Sequence, residues 1–234
     1  MLVRGFPAAA FDTNCWVVAP AAGEECVVID PGIGIEPMLD EVLRAENLRP
    51  VAVLLTHGHL DHTFSVTPVC GAKGIPAWIH PGDRELLADP MKGLSSETRT
   101  MFGGRLEWTE PDDVALLDPE TPLELAGLRI AVDFAPGHTP GSVAFRTPGV
   151  GLEGEADPPV MFSGDLLFAG SIGRTDLPGG SWAQMQESLS RVVLTAPDET
   201  VVYCGHGQST TIGRERVANP FLQELAAAPP SRGL

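Results

Sequence analysis

The chain has 234 residues, of which 43% are apolar, and a formal net charge of −16. Its length and apolar fraction are typical of one globular domain with a sizeable core, so we expect a single domain over residues 1–234. An acidic surface repels phosphate backbones and anionic lipid headgroups, which argues against nucleic-acid and membrane partners but leaves room for a small anionic substrate beside a bound metal ion.

The first half of the chain predicts strands and helices in alternation. Strands are predicted at 14–19, 25–30, 51–55 and 76–80, and helices at 36–47 and 83–88. The first two strands flank a Pro/Gly turn and should form a hairpin. Residues 89–113 are polar and irregular, which predicts a long loop that could act as a lid.

The alternation continues to the C-terminus and predicts one α/β domain. Strands are predicted at 128–134, 142–147, 160–163 and 200–204, and helices at 181–194 and 211–227. The last helix is interrupted at Asn219–Pro220, and the acidic Gly/Pro segment 148–159 is typical of a hairpin tip. Ser181 and Gln184 have capping-box spacing at the start of the helix at 181–194. An apolar stripe on that helix, expected in the core, consists of Trp182, Met185, Leu189 and Val192.

The sequence favours a cytoplasmic location. No segment approaches the length of a membrane span, and the first 16 residues lack the apolar core of a signal peptide. The cysteines have no paired zinc-ribbon spacing, so we expect buried or half-buried free thiols in a reducing compartment. They are Cys15, Cys26, Cys70 and Cys204.

Three of the six histidines lie between positions 57 and 62, in the segment HGHLDH. The same design occurs at four predicted strand ends, where an apolar run is followed by a glycine and at once by a metal-type side chain. Because strand ends display polar groups at the edge of a sheet, we expect these side chains to converge. They are His57, His59, Asp61, His62, His138, Asp165 and His206.

A metal site explains this set better than a catalytic triad. Neutral imidazoles and carboxylates suit zinc, iron or manganese. A single structural zinc needs four ligands, so seven candidates without cysteine indicate two divalent metal ions, most simply zinc, in an open catalytic site. A serine–histidine triad is the rival interpretation, but the chain has no Gly-x-Ser-x-Gly segment and a triad would leave four histidines unexplained.

The motif His57-x-His59-x-Asp61-His62, followed by PGHTPGS, SGDLLF and CGHG, resembles the metallo-β-lactamase superfamily over nearly the whole chain. The resemblance implies a four-layer α/β/β/α sandwich with the metals at one edge. It also implies the ligand sets: His57, His59 and His138 for one metal, Asp61, His62 and His206 for the other, and Asp165 as the bridge between them.

Within that superfamily, AGSIGRTDLPGG and TIGRERVANPF resemble short bacterial glyoxalase II-like hydrolases, which act on hydroxyacyl-glutathione thioesters. The resemblance implies a thioesterase that uses a metal-bridging hydroxide, with Asp61 and Asp165 as catalytic ligands. Two divalent cations with these carboxylates and that hydroxide keep about one positive charge, which can polarise a carbonyl. Full-length glyoxalase II has a helical C-terminal region that holds glutathione, whereas only 28 residues follow His206 here. The resemblance therefore leaves the thiol open.

The sequence leaves two alternative functions. One is a persulfide-dioxygenase-like enzyme with a single iron on His57, His138 and Asp165. The other is a metal-stabilised interaction protein without activity. The substrate expected for the hydrolase is a small anionic thioester or ester. Arg174, Asp176 and Gln208 are candidate substrate contacts, although Arg174 and Asp176 could instead form an internal ion pair. Structural roles are expected for His80, Arg214 and Arg216.

Overall fold

Two six-stranded sheets form the centre of the computed structural model, which describes residues 1–101, 106–149 and 157–227. The strands of the first sheet, in spatial order, are β1 (Leu2–Pro7), β2 (Asn14–Ala19), β3 (Glu25–Ile29), β4 (Arg49–Leu54), β5 (Ala77–Ile79) and β6 (Val114–Leu116). The strands of the second sheet, in chain order, are β7 (Leu123–Leu125), β8 (Leu128–Phe134), β9 (Val143–Thr147), β10 (Val160–Gly164), β13 (Val201–Cys204) and β14 (Thr210–Thr211). A small hairpin, β11 (Leu167–Phe168) with β12 (Ser171–Ile172), follows β10.

Both sheets mix parallel and antiparallel neighbours. In the first, β1, β2 and β3 run antiparallel, whereas β3 to β6 are parallel. The second has the spatial order β14-β13-β10-β9-β8-β7, and its one parallel pair is β10 with β13. Parallel neighbours end at the same edge of a sheet, so the segments that follow β3 and β4 lie together, as do those that follow β10 and β13.

The helices lie outside the two sheets. They are α1 (Glu36–Ala45), α2 (Leu60–Thr63), α3 (Val66–Lys73), α4 (Arg84–Ala88), α5 (Ser96–Met101), α6 (Trp182–Ser188), α7 (Ile212–Ala218) and α8 (Pro220–Ala227). A π-helical segment, Leu189–Val193, extends α6. No helix in the described ranges is long and apolar enough to cross a membrane.

Three apolar clusters separate four layers, which confirms the predicted α/β/β/α sandwich. One packs α1 and α3 against the first sheet, for example Leu39 and Val69 against Val28. The central cluster joins the inner faces of the two sheets, as Ile29 and Phe145 show. The third packs α6, α7 and α8 on the second sheet. Period-2 strands and period-3.6 helices bury their apolar faces in this arrangement.

Most predicted elements are confirmed within one to three residues, but two expectations need correction and a third lies mostly outside the described ranges. The segment 89–113 is not a uniform loop, because a 3₁₀ turn at Pro90–Gly93 and helix α5 lie inside it, and its residues 102–105 are outside the described ranges. Trp182 is 41% exposed and does not join the core stripe. Of the expected hairpin tip at 148–159, residues 150–156 are outside the described ranges, although β9 and β10 are antiparallel neighbours.

Candidate metal centre

The seven predicted ligand residues lie together at one edge of the two sheets. His57 and His59 follow β4, Asp61 and His62 lie on α2, and His138 lies between β8 and β9. Asp165 directly follows β10 and His206 follows β13. Within 4.8 Å of one another lie ligand atoms of His57, His59 and His138, and, in a second group, ligand atoms of Asp61, His62 and His206. These are the two triads that the family resemblance implies.

The carboxylate of Asp165 lies between the two groups. Its Oδ2 is 3.4 Å from Nε2 of His138 in the first group and 3.6 Å from Nε2 of His206 in the second, and its Oδ1 is 3.3 Å from Nε2 of His62. Oδ1 is buried without a hydrogen-bond partner among the described residues. A buried carboxylate oxygen needs a cation or a donor. Its position fits the bridging role expected for Asp165.

Hydrogen bonds to a carboxylate or a backbone carbonyl fix the tautomers of three of the histidines. Nδ1 of His62 donates to Oδ2 of Asp30 at 2.9 Å. Nδ1 of His138 donates to the backbone carbonyl of Arg174 at 2.7 Å, and Nδ1 of His206 donates to that of Phe11 at 3.0 Å. Since a carboxylate and a carbonyl can only accept, each of these rings in its neutral form carries its lone pair on Nε2. That lone pair is what a metal requires.

His57 is oriented through a threonine relay. The Thr56 hydroxyl donates its one proton to Oδ2 of Asp30 at 2.6 Å, so its oxygen accepts from Nδ1 of His57 at 3.0 Å. Nε2 of His57 is then a buried acceptor with no hydrogen-bond partner among the described residues. In the same group, Nδ1 of His59 lies 2.8 Å from Nε2 of His138. These nitrogens fit one shared cation.

The pKa values of the histidines differ between the two metal-binding groups. Burial lowers the pKa of His57, and burial together with the neighbouring His138 lowers the pKa of His59 to about 3. For His62, burial acts in the same direction, but the carboxylates of Asp61, Asp165 and Asp30 outweigh it and raise its pKa well above its usual range. His57 and His59 are therefore neutral and able to bind a cation at neutral pH, whereas His62 must release a proton to do so.

The two carboxylates of the site are held ionised. Burial disfavours their charged form, but the neighbouring histidines, His62 foremost, bring the pKa values of Asp61 and Asp165 below the usual range. Asp61 also accepts from the hydroxyl of Thr13 at 3.0 Å. Anionic carboxylates are the protonation state that metal ligation requires.

Asp30 is a site residue that the sequence analysis missed. It follows β3 with φ of 51°, and its two oxygens accept from the backbone N–H of Thr56 at 2.8 Å, from the Thr56 hydroxyl and from His62. It thus orients one histidine of each metal group. An acidic residue directly after the apolar run ECVVI has the same position as the predicted ligands, so this signal was present in the sequence.

Asp83 is a second missed residue, and it holds the first group from the outside. Its Oδ2 accepts from the N–H of Gly58, between His57 and His59, at 2.8 Å, and from the hydroxyl of Thr139, next to His138, at 2.6 Å. Its Oδ1 accepts from the N–H of Gly141 at 2.6 Å. The carboxylate is buried and joins the two loops that carry the three histidines.

Glycines allow the close backbone approach at the second group. Gly164 has φ of 49°, and a Cβ there would lie 2.5 Å from Oγ1 of Thr56. A Cβ on Gly205 would lie 2.4 Å from Oδ1 of Asp165. Any side chain at these two positions would push the ends of β4, β10 and β13 apart.

A cavity of about 300 Å³ opens onto the site. It is lined by ligand residues of both groups and by Phe11, Leu60, Gly93, Leu94, Ser95, Thr98, Arg174 and Leu177. Of the three candidate substrate contacts, Arg174 lines the cavity and pairs with Asp176 at 2.7 Å, whereas Asp176 and Gln208 are exposed and do not line it. His80 lies apart from the metal groups and stacks on Phe134.

The sequence profile of the metallo-beta-lactamase superfamily matches residues 8–206 of the chain. The chain belongs to this superfamily. The match spans every ligand candidate, from His57 to His206. Members of this superfamily are mostly metal-dependent hydrolases, and the chain has a cluster of histidines and aspartates that could hold metal ions.

Curated relatives cover nearly the whole chain. An uncharacterized protein of Mycobacterium tuberculosis is 43% identical over 227 residues, which is 97% of this chain and 100% of that protein. A probable metallo-hydrolase of Bacillus subtilis is 32% identical over 94% of this chain and 96% of its own. A hydroxyacylglutathione hydrolase of Haemophilus influenzae is 31% identical over 95% of this chain and 98% of its own.

Similar proteins of known structure have the same fold. A B3 metallo-beta-lactamase, BLEG-1, is 36% identical with a TM-score of 0.79 and covers 94% of this chain and 99% of its own. A protein solved in a di-iron-bound form is 35% identical with a TM-score of 0.73, over 94% of this chain and 100% of its own. The second structure shows that a neighbour of this chain holds two metal ions.

Proposed function

We propose that the protein is a metal-dependent hydrolase of thioester or ester bonds, of the hydroxyacylglutathione hydrolase type. The observation that carries this proposal is the pair of three-residue groups with Asp165 between them, at the floor of a cavity of about 300 Å³. The Haemophilus influenzae relative supports the thioester class. The expected substrate is a small anionic molecule, and we place the protein in the cytoplasm as a single domain over residues 1–234.

The residues present fit two divalent cations. His57, His59 and His138 would hold one, Asp61, His62 and His206 the other, and Asp165 would contact both. Zinc suits this donor set, and the di-iron form of a neighbour keeps iron in view, with manganese as a third choice. Bound cations of this kind act as Lewis acids for a carbonyl oxygen and acidify a water molecule.

The protein's own contribution is orientation. Asp30, Thr56 and the backbone carbonyls of Phe11 and Arg174 hold the imidazole rings so that their lone pairs converge. No side-chain nucleophile is required, and a thiolate is a sufficiently good leaving group to depart without a protein acid.

Elemental analysis and a substrate panel test the proposal. A gently purified sample should contain about two metal ions per chain and should hydrolyse members of a panel of thioesters, lactones and phosphodiesters, thioesters fastest. A single tightly bound iron with oxygen uptake on a glutathione persulfide would instead indicate a persulfide dioxygenase. No turnover on any substrate would indicate a metal-stabilised protein without activity.

Asp165→Asn separates the bridging role from substrate contact. An amide keeps the shape but removes the negative charge that offsets the repulsion between two cations, so we expect loss of one metal and a fall in kcat of more than about 100-fold. Arg174→Ala and Gln208→Ala serve as controls: Arg174 lines the cavity, so its loss should act mainly on KM, whereas Gln208 lies outside it and its loss should change neither constant much. Circular dichroism should change little, because the strands build the core. Two retained metals and near-normal kcat would show that Asp165 does not bridge.

A further inference from the structure

Phe11 is a bulky residue in a strained backbone conformation beside the metal centre. It and the next residue, Asp12, both have left-handed φ values, of 64° and 52°. This region suits glycine and asparagine and is unfavourable for an aromatic side chain. The Phe11 side chain is also 66% exposed, so burial does not repay the strain. Strain that local packing does not explain is concentrated at functional sites.

The loop that carries Phe11 is fixed on both sides. The N–H of Ala8 donates to the carbonyl of Thr13 at 2.7 Å, and the N–H of Asn14 donates to the carbonyl of Gly205 at 2.7 Å. The carbonyl of Phe11 accepts from Nδ1 of His206 at 3.0 Å. That backbone contact explains the conformation but not the residue, since glycine would offer the same carbonyl without strain.

Phe11 lies in an apolar part of the cavity wall. Leu60, Leu94 and Leu177 line the same cavity. The one cation among the described lining residues, Arg174, is already paired with Asp176 through two hydrogen bonds of 2.7 Å. Beyond the metal ligands, the described wall is therefore suited to an apolar group more than to a second anionic one.

We propose that Phe11 is a specificity-determining residue that covers an apolar, uncharged group next to the scissile bond. This inference rests on the proposed hydrolase function and narrows its substrate class to thioesters or esters with such a group. An exposed aromatic residue that lines the cavity gains contact area when a ligand binds, which would account for its exposure in the free protein.

Phe11→Gly keeps the carbonyl for His206, relieves the strain and removes the ring. Asp12→Gly is the matched control, because it relieves the same kind of strain in the next residue and leaves the ring in place. Both variants should unfold a few degrees higher than the unaltered protein. Both should retain the same metal content. Phe11→Leu, which restores an apolar side chain, should recover part of the lost binding.

Two substrate series identify the apolar group. In one, the acyl chain of a thioester grows from acetyl to hexanoyl on a fixed thiol, and in the other the thiol carries alkyl groups of increasing length on a fixed acyl group. Phe11→Gly should raise KM by roughly ten- to hundredfold more for the long members of one series than for its shortest member. Asp12→Gly should behave as the unaltered protein throughout.

Calorimetry with a non-hydrolysable alkyl thioether supplies a readout without turnover. If the unaltered protein hydrolyses no thioester but Phe11→Gly still weakens thioether binding about tenfold, the hydrolase proposal fails and the apolar subsite stands. If Phe11→Gly matches the unaltered protein in KM for every substrate and in thioether affinity, the ring has no role in recognition. The strained loop would then serve His206 alone, and our inference would be wrong.

Discussion

Asp83→Asn is the substitution that most directly tests how the first metal group is held. The buried carboxylate of Asp83 accepts three hydrogen bonds, from the N–H groups of Gly58 and Gly141 and from the hydroxyl of Thr139, at 2.6 to 2.8 Å. Asparagine has nearly the same shape but only one accepting oxygen. In either orientation of the amide, one of the two backbone N–H groups faces an NH₂ group and loses its acceptor.

The size of the effect follows from these contacts. Loss of a hydrogen bond to a charged group, with a buried donor left unsatisfied, costs about 2–3 kcal/mol. Burial raises the pKa of Asp83, which shows that the buried charge is itself unfavourable, so a neutral amide recovers part of that amount. We expect the free energy of unfolding to fall by about 2 kcal/mol. For a chain of this size that is a decrease in Tm of roughly 4–8 °C.

The effect on metal binding should be selective. Gly58 lies between His57 and His59, and Thr139 follows His138, so a shift of the two loops moves all three histidines of the first group. Loss of a residue that orients ligands typically weakens metal affinity by about 10- to 100-fold. The second group, on Asp61, His62 and His206, has no hydrogen bond to Asp83. The first metal should therefore dissociate at a lower chelator concentration than the second.

Thermal unfolding and chelator titration of the same samples check both expectations. Asp118→Asn is a matched control, because Asp118 also accepts from a backbone N–H and a threonine hydroxyl, those of Glu120 and Thr121, but is exposed. It should change Tm by no more than about 2 °C. An unchanged Tm for Asp83→Asn, or equal loss of both metals, would refute the assigned role of Asp83.

Two further predictions concern protonation and the thiols. Metal should leave the second group first as the pH falls, because the carboxylates raise the pKa values of His62 and His206 and so favour protonation of these ligands. His57 and His59 have lowered pKa values and stay neutral. Metal content measured from pH 8 to pH 5 should therefore pass through one ion per chain, and loss of the first group's ion before the other would contradict this order. All four cysteines are free and buried, and burial raises the pKa of Cys26, Cys70 and Cys204 to about 12. A thiol reagent should therefore react with none of the four in the native protein and with all four after denaturation.

The long strands and helices could be predicted because local pattern and burial agree in them. Strand β8 is predicted and observed over the same residues, 128–134, and α7 and α8 break at Asn219–Pro220 as expected. The missed strands are short or atypical. Strand β1 contains Gly5 and ends in Pro7, and both residues weaken a strand pattern.

Missed helices have related causes. Helix α3 contains Pro68 and Gly71, which disfavour a helix in isolation, yet it buries Val66 and Val69 against the first sheet. Tertiary packing stabilises it despite its composition. Helix α5 had a visible start signal, since the Ser95 hydroxyl accepts from the N–H of Thr98, but the polar sequence around it concealed that signal.

The candidate ligands could be predicted from the sequence, but the residues that orient them could be predicted only in part. Each ligand follows an apolar strand, and this order along the chain is visible in the sequence. Asp30 also follows an apolar strand directly, but it was missed because no histidine lies beside it in the sequence. Asp83 gives no such signal, because its partners Gly58 and Gly141 lie 25 and 58 residues away along the chain. Such contacts depend on how the loops pack.

The groups that orient the histidine rings also show why the histidine-rich segment 57–62 cannot form the metal centre by itself. His62 is oriented by Asp30 from the end of β3, His138 by the carbonyl of Arg174, and His206 by the carbonyl of Phe11. Each orienting group comes from a different part of the chain than the ring it holds. The lone pairs converge only once the two sheets have docked, so the unfolded chain has no comparable site. Cations bound there must therefore add their binding free energy to the stability of the folded protein.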